Sequence, residues 1–395
     1  MDNHHPLLLP PGTRLLHIGP PKTATTTLQS AFHNNRDFLA DHRVHYAGSG
    51  LHPMTAAMAV AVRRPDSEPA HKRERRWRAL VEEIEGADAD CVVVSSEFFA
   101  SADDAAARRV INDLGADRTH VVVTLRPLWK ILPSQWQQYV QDGLVDAYDD
   151  WLDAMFNQPP YRKPTPSFWR RHRHDQLVAR WAAAVGAENV TVVVLDEADR
   201  PLPVRVFERF TGLPEGSLNP EHEAANRSLT RDEAEIVRAF NRQYKEHGWP
   251  REVYQKFMRF GAARYLKERA PFRHEERVET PQWALDAATE LGGEIAAAIA
   301  TSGVRIIGDI EALGTKPPAN GSAGTEETRV PAELAARMAI GVLRATGELD
   351  TLQTTPVSDA TSRELVRVVG LRVRARVDRT VRATRTRTRA RRPRR

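Results

Sequence analysis

The chain reads as an α/β protein built on an open parallel sheet, with a helical C-terminal part and a basic tail. Two features of the sequence predict this: short continuous runs of β-branched residues, and stretches of helical spacing between them. Segments 14–19, 91–96, 119–125 and 190–195 read as strands buried on both faces, the last three as VVV, VVVTL and VTVVVL runs. After the first run, Leu28, Ala31, Phe32 and Leu39 recur at helical intervals. Leu177, Trp181 and Val185 do the same before the fourth, and Gly186 is placed to stop that helix.

The rest of the chain is read from its punctuation. Residues 51–85 look like a charged, largely helical insertion, and 143–176, with Pro159, Pro160, Pro164 and Pro166, like an irregular loop or lid. Helical patterns dominate from Phe207 to about Gly314, most clearly over 231–244. The expected division is a main domain over 1–315, a Gly/Pro/Ala/Thr-rich linker over 316–330, and a helix from Pro331 to Gly347 leading into a partly disordered tail that ends at 395.

Chemistry concentrates where the first strand ends, in His17-Ile18-Gly19-Pro20-Pro21-Lys22-Thr23-Ala24-Thr25-Thr26-Thr27-Leu28. A strand, a loop with one lysine and a helix opening on threonines make an anion site. Free backbone N–H groups and the helix dipole attract negative charge, Lys22 adds a cation, and the hydroxyls add donors. The spacing is not that of a Walker A loop, because Gly19 is followed by Pro-Pro-Lys and no Gly-Lys pair exists here. A second anion site is expected where the third strand runs into Leu125-Arg126-Pro127, with Ser134 at the start of the next helix. An arginine fork at the carboxyl end of a parallel strand points to the crevice where such sheets bind ligands. At the end of the second strand, Ser96-Glu97-Phe98-Phe99 places a carboxylate suited to act as a base.

Pro21-Lys22-Thr23-Ala24-Thr25-Thr26 resembles the 5′-phosphosulfate loop of the sulfotransferases that use 3′-phosphoadenosine-5′-phosphosulfate (PAPS), usually written Pro-Lys-x-Gly-Thr-Thr. Arg126 and Ser134 are similar in spacing to that family's 3′-phosphate motif. The resemblance covers residues 14–230 and extends toward 315. It implies a three-layer, P-loop NTPase-like sulfotransferase fold and a PAPS donor without a metal. It also implies that Lys22, Thr23, Ala24, Thr25, Thr26 and Thr27 hold the 5′ end and that Arg126 and Ser134 hold the 3′-phosphate. Lys22 then stabilises the leaving phosphate, and Glu97 is the base, as a glutamate is in carbohydrate-modifying members. Two departures stand out: Ala24 replaces the usual glycine, and Thr27 stands where cytosolic members often place an aromatic. Asn226-Arg227-Ser228-Leu229 resembles a bacterial segment near the cofactor, and the family's Arg-Lys-Gly segment has no counterpart.

The acceptor is expected to be a carbohydrate, a glycolipid or a small metabolite, with Trp136, Tyr139, Trp151, Phe156, Tyr161, Phe168 and Trp169 supplying walls. His17 reads as a satisfied core residue, whereas His172 and His174 are placed to touch acceptor or solvent. Two other functional classes share parts of the pattern: a P-loop kinase-like phosphotransferase, and a polyanion-binding protein working through its tail. From Arg363 to Arg395, fourteen arginines face only Glu364 and Asp378, so the rest of the chain is mildly acidic although the whole carries +5. That run suits an anionic surface or nucleic acid. The single Cys91 fits a reducing compartment, and no apolar stretch approaches the ~20 residues of a membrane span. A cytoplasmic protein is expected, with peripheral membrane contact open to the tail.

Overall fold

The apolar runs pair with one another. The structure, a computed structural model, describes residues 7–62, 69–219, 227–271, 275–316 and 331–346. Its centre is a six-stranded sheet of order β2-β3-β1-β4-β5-β6. The strands are β1 (Thr13–His17), β2 (Val44–Tyr46), β3 (Cys91–Ser95), β4 (Thr119–Leu125), β5 (Val190–Val194) and β6 (Arg305–Ile307). Every neighbouring pair is parallel. The predicted runs are the four central strands. The two edge strands were not predicted: with three residues each they carry no run to read.

Alternation within each run explains why it is continuously apolar. Leu15, Val93, Val122 and Val193 face one layer, where they meet Leu28, Phe32, Phe207 and Phe210. Leu16, Val92, Val94, Val121, Val123 and Val192 face the other, with Trp77, Val110, Ile111, Trp136, Trp181 and Ile295. Helices Thr25–Asn34 and Leu202–Thr211 cover the first face, and helices that include Asp104–Leu114, Leu128–Gln141, His174–Val185 and Gln282–Ala300 cover the second. A strand buried on both sides has no polar face, which is the signature seen in the sequence.

The 143–176 segment is more ordered than expected. Tyr148–Phe156 and Phe168–His172 are helices. Tyr148, Trp151, Leu152 and Met155, spaced to share one helix face, are buried. The prolines break only the stretch between the two helices. The expected helix in 331–347 spans Ala332–Thr346 and packs on helix 251–268 through bare backbone, since a Cβ on Gly341 would lie 2.6 Å from Ala262 Cα. The rest of the expected linker, 317–330, and the tail beyond 346 lie outside the described residues.

Because all strands run the same way, the loops after β1, β2, β3, β4 and β5 open on one edge of the sheet. Phe207 braces that arrangement from below: it is fully buried, with its ring edge-on to His17 at 5.3 Å and to Phe32 at 5.9 Å. Phe207→Ala should cost about 3–5 kcal/mol, read as a lower urea midpoint at unchanged slope.

Candidate functional site

The loop after β1 is shaped by left-handed backbone. Gly19 has φ +80°, and a Cβ there would lie 2.9 Å from Glu97 Cα, so only glycine lets the tips of β1 and β3 approach this closely. Lys22 (φ 71°) and Ala24 (φ 60°) also adopt positive φ. Ala24 is the N-cap residue of helix Thr25–Asn34 and offers no side-chain cap. The first helical bond there runs from Leu28 N to Ala24 O (3.2 Å), so the amides of Thr25, Thr26 and Thr27 have no acceptor within the helix. Thr25 is buried, while Thr26 and Thr27 are exposed beside these amides.

Thr23 points the other way. Its hydroxyl donates to Pro20 O (2.6 Å) and meets Thr124 Oγ1 (2.9 Å), which ties the loop to β4. From there a row of buried hydrogen bonds crosses the sheet. His17 Nε2 lies 3.1 Å from Thr124 Oγ1, and His17 Nδ1 lies 2.8 Å from Ser95 Oγ. Gln29 Nε2 donates to Ser95 Oγ (3.4 Å) and to Glu97 Oε2 (3.1 Å). Burial pushes His17 down to about 3, so the ring is neutral, one nitrogen donating and the other accepting. His17 is thus the satisfied core residue that the sequence suggests, and its row ends on Glu97.

Two further groups face Glu97. His52, in the loop after β2, has Nδ1 3.1 Å from Ser96 Oγ and stacks on Phe98 at 6.1 Å. Burial lowers its proton affinity and the charge of Glu97 partly restores it. Arg36 holds that loop in place, its guanidinium donating to the carbonyls of Tyr46, Gly48 and Gly50. His52 escaped the sequence reading because β2 did. A strand at 44–46 would have placed its following loop on the same edge as Lys22.

Lys22 is partly exposed and makes no ion pair among the described residues. Burial brings its ammonium down to about 8, Lys267 and Arg259 push the same way, and Asp142 and Glu97 oppose them. Helix 251–268, with a π-helical stretch over Gln255–Ala262, therefore brings two more cations to the loop. Arg259 is paired with Asp142 at 2.8 Å. Lys267 is itself lowered by burial and by Arg227, Arg259 and Arg264. Such a field favours a multiply charged anion. Neither Arg259 nor Lys267 carries a local motif, and only the tertiary fold brings them here.

His172 and His174 are placed differently from the expectation. Both are fully buried, away from solvent, and His172 is held well below the usual histidine range by burial, His174, Arg171 and Lys22. Of the predicted acceptor walls, Trp136, Trp151 and Phe168 are core residues, while Tyr139, Phe156 and Trp169 are partly exposed and Tyr161 is exposed. Asn226 lies outside the described residues. Arg227 is locked by Glu233 at 2.7 Å and by the carbonyls of Arg269 and Leu266.

Arg126 follows β4 two residues beyond Thr124, the residue that touches Thr23, so Lys22 and Arg126 belong to the tips of adjacent strands. Its guanidinium donates to Glu197 (2.8 Å), which also takes Lys130 Nζ at 3.0 Å. This exposed pairing is worth ~1 kcal/mol or less, which a phosphate can displace. Ser134 lies in the second turn of helix Leu128–Gln141 rather than at its start. Its hydroxyl donates to Ile131 O (3.0 Å) and not toward Arg126.

No family model matches the chain, and no curated protein matches it in sequence. Among solved structures, a sulfotransferase from Alicyclobacillus acidocaldarius is similar at 14% identity and a TM-score of 0.39, over 62% of this chain and 98% of that one. At that level of likeness, the site residues themselves have to carry the chemistry.

Ala24 offers a direct test of the loop geometry. A Cβ in the left-handed region costs ~1–2 kcal/mol, and glycine returns part of that through a freer unfolded chain. Ala24→Gly should stabilise the protein by about 0.5–1 kcal/mol, visible as a raised urea midpoint.

Proposed function

We propose that the chain is a PAPS-dependent sulfotransferase, moving a sulfuryl group to a hydroxyl or amine of a carbohydrate, glycolipid or small metabolite. One observation carries this reading. A lysine and a carboxylate that make no ion pair among the described residues, Lys22 and Glu97, stand at the tips of adjacent strands, on either side of the Gly19 contact, and feel each other's charge. In-line transfer of a charged group needs a cation where the bond breaks and a base where it forms.

PAPS, when bound, supplies an activated sulfuryl group on a 5′-phosphate. Lys22 and the amides of Thr25, Thr26 and Thr27, with the exposed Thr26 and Thr27 hydroxyls, hold that end and take up the charge left on the phosphate oxygen. Thr23 serves the loop rather than the ligand, and Ala24 sets its turn. Arg126 exchanges Glu197 for the 3′-phosphate, and Ser134 assists by turning its hydroxyl outward from the helix. Glu97, oriented by Gln29, accepts the acceptor's proton as the acceptor oxygen or nitrogen bonds to sulfur. Arg259 and Lys267 add positive potential above the loop.

Desulfated donor, adenosine 3′,5′-bisphosphate, should raise the melting temperature of the wild type, and Mg-ATP should not. The reverse ranking would favour a phosphotransferase. Glu97→Gln should keep that thermal shift while transfer from labelled PAPS across an acceptor panel falls by about 10²–10⁴-fold. Undiminished transfer would remove Glu97 from the reaction.

The lowered Lys22 also predicts a pH dependence of known sign. Its value when folded, about 8, lies below the ordinary 10.5, so the folded chain loses this proton first. Stability of the ligand-free protein therefore gains from this group as pH rises from about 8 to 10.5. Anion affinity moves the opposite way. Adenosine 3′,5′-bisphosphate should bind about tenfold more weakly at pH 9 than at pH 7, and Lys22→Arg should flatten that profile.

A further inference from the structure

We propose that helix 251–268, with the preceding turn and the helix Ala332–Thr346 packed on it, docks on an anionic lipid bilayer. Trp249, Val253, Phe257 and Phe260 recur at spacings of four, four and three, so they form one stripe along that helix and its leading turn. Phe260 is 63% exposed, Trp249 52% and Val253 41%, while Phe257 is partly exposed. The other side of the same helix buries Tyr254, Met258 and Ala262. Helix Ala332–Thr346 repeats the design. It buries Leu334, Met338 and Gly341, and turns Ala336, Ile340 and Leu343 outward, with Leu343 51% exposed.

Exposed apolar residues in isolation are ordinary, whereas stripes on two helices packed together mark a contact surface. Cations flank both. Lys256 lies over the Phe257 ring at 5.0 Å and Arg259 over Phe260 at 5.3 Å. Arg344 lies over Tyr265 at 4.6 Å. Besides Arg259 and Lys267, which also reach the field of Lys22, helix 251–268 carries Arg251, Lys256 and Arg264 against Glu252 and Glu268. The sequence that follows the second helix adds the fourteen arginines from Arg363 onward.

The two properties together select the partner. A nucleic acid would engage the cations and leave Val253, Ile340 and Leu343 in water, and a neutral lipid surface would leave the arginines idle. An amphipathic helix with an apolar face, a tryptophan at its edge and basic flanks matches the interface of an anionic bilayer. Each Lys or Arg near such a surface adds attraction to its negative charge. Among the described residues no helix is long and apolar enough to cross a membrane, so the contact is with the surface.

The test is sedimentation of the full-length protein with vesicles at about 150 mM salt. Wild type should bind phosphatidylcholine vesicles containing about 30% phosphatidylglycerol and stay unbound with phosphatidylcholine alone. Val253→Ser/Phe260→Ser, with the arginine tail intact, should bind at least about tenfold more weakly. Trp249→Ser serves as a second variant, and an unchanged melting temperature shows that each is folded. The proposal is overturned if wild type stays in the supernatant, if it binds both vesicle types equally, or if the folded variants bind like wild type. It is overturned too if light scattering finds a wild-type dimer that Val253→Ser/Phe260→Ser dissolves, since the stripe would then be a subunit interface. None of these outcomes depends on sulfuryl transfer.

Discussion

A buried polar group must find a partner, and the candidate site depends on how His17 meets that demand. The ring lies at the centre of the sheet, where an unpaired nitrogen would cost ~1–3 kcal/mol. It solves the problem by joining Thr124 on one neighbouring strand to Ser95 on the other. Thr23 and Gln29 attach to the two ends of that bridge, so the Lys22 loop and Glu97 are positioned by one connected set of bonds. Strand pairing alone would align the backbones. The side-chain row fixes which way the functional groups turn.

Charge is arranged around this frame in layers. Nearest the loop are helix amides and Lys22, then Arg259 and Lys267 from a helix far away in sequence, then the Arg126–Glu197–Lys130 cluster at the next strand tip. Arg259 is paired with Asp142, and Arg126 and Lys130 share Glu197, whereas Lys22 makes no ion pair among the described residues. The paired ones keep the field positive at little cost in self-repulsion, and Lys22 is left with the unmet demand for an anion.

The central sheet was legible because its strands are sandwiched between helices and so are apolar throughout. Lys22 and Glu97 were legible for the same reason: each follows a strand that announces itself. What was missed has several physical causes. Val44–Tyr46 and Arg305–Ile307 are edge strands, each paired on one side only and too short for periodicity. His52 was lost with the first of them. The prolines between 157 and 167 drew attention away from the helical spacing of Tyr148, Trp151, Leu152 and Met155. His172 and His174 looked solvent-facing because their neighbours are basic, yet helix packing turns both rings inward. Gln29 and Lys267 lie on α-helices and Arg259 on the π-helical stretch, and only three-dimensional proximity gives them a role.

The neutrality of His17 has a physiological corollary. A histidine beside a candidate site can make that site a sensor of acid. Here burial keeps the imidazole neutral down to strongly acidic pH, and its two hydroxyl neighbours ask nothing of a charge. The bonds that join loop to sheet are thus insensitive to mild acid, leaving Lys22, brought down to about 8, as a group of the site that can register a change of proton supply.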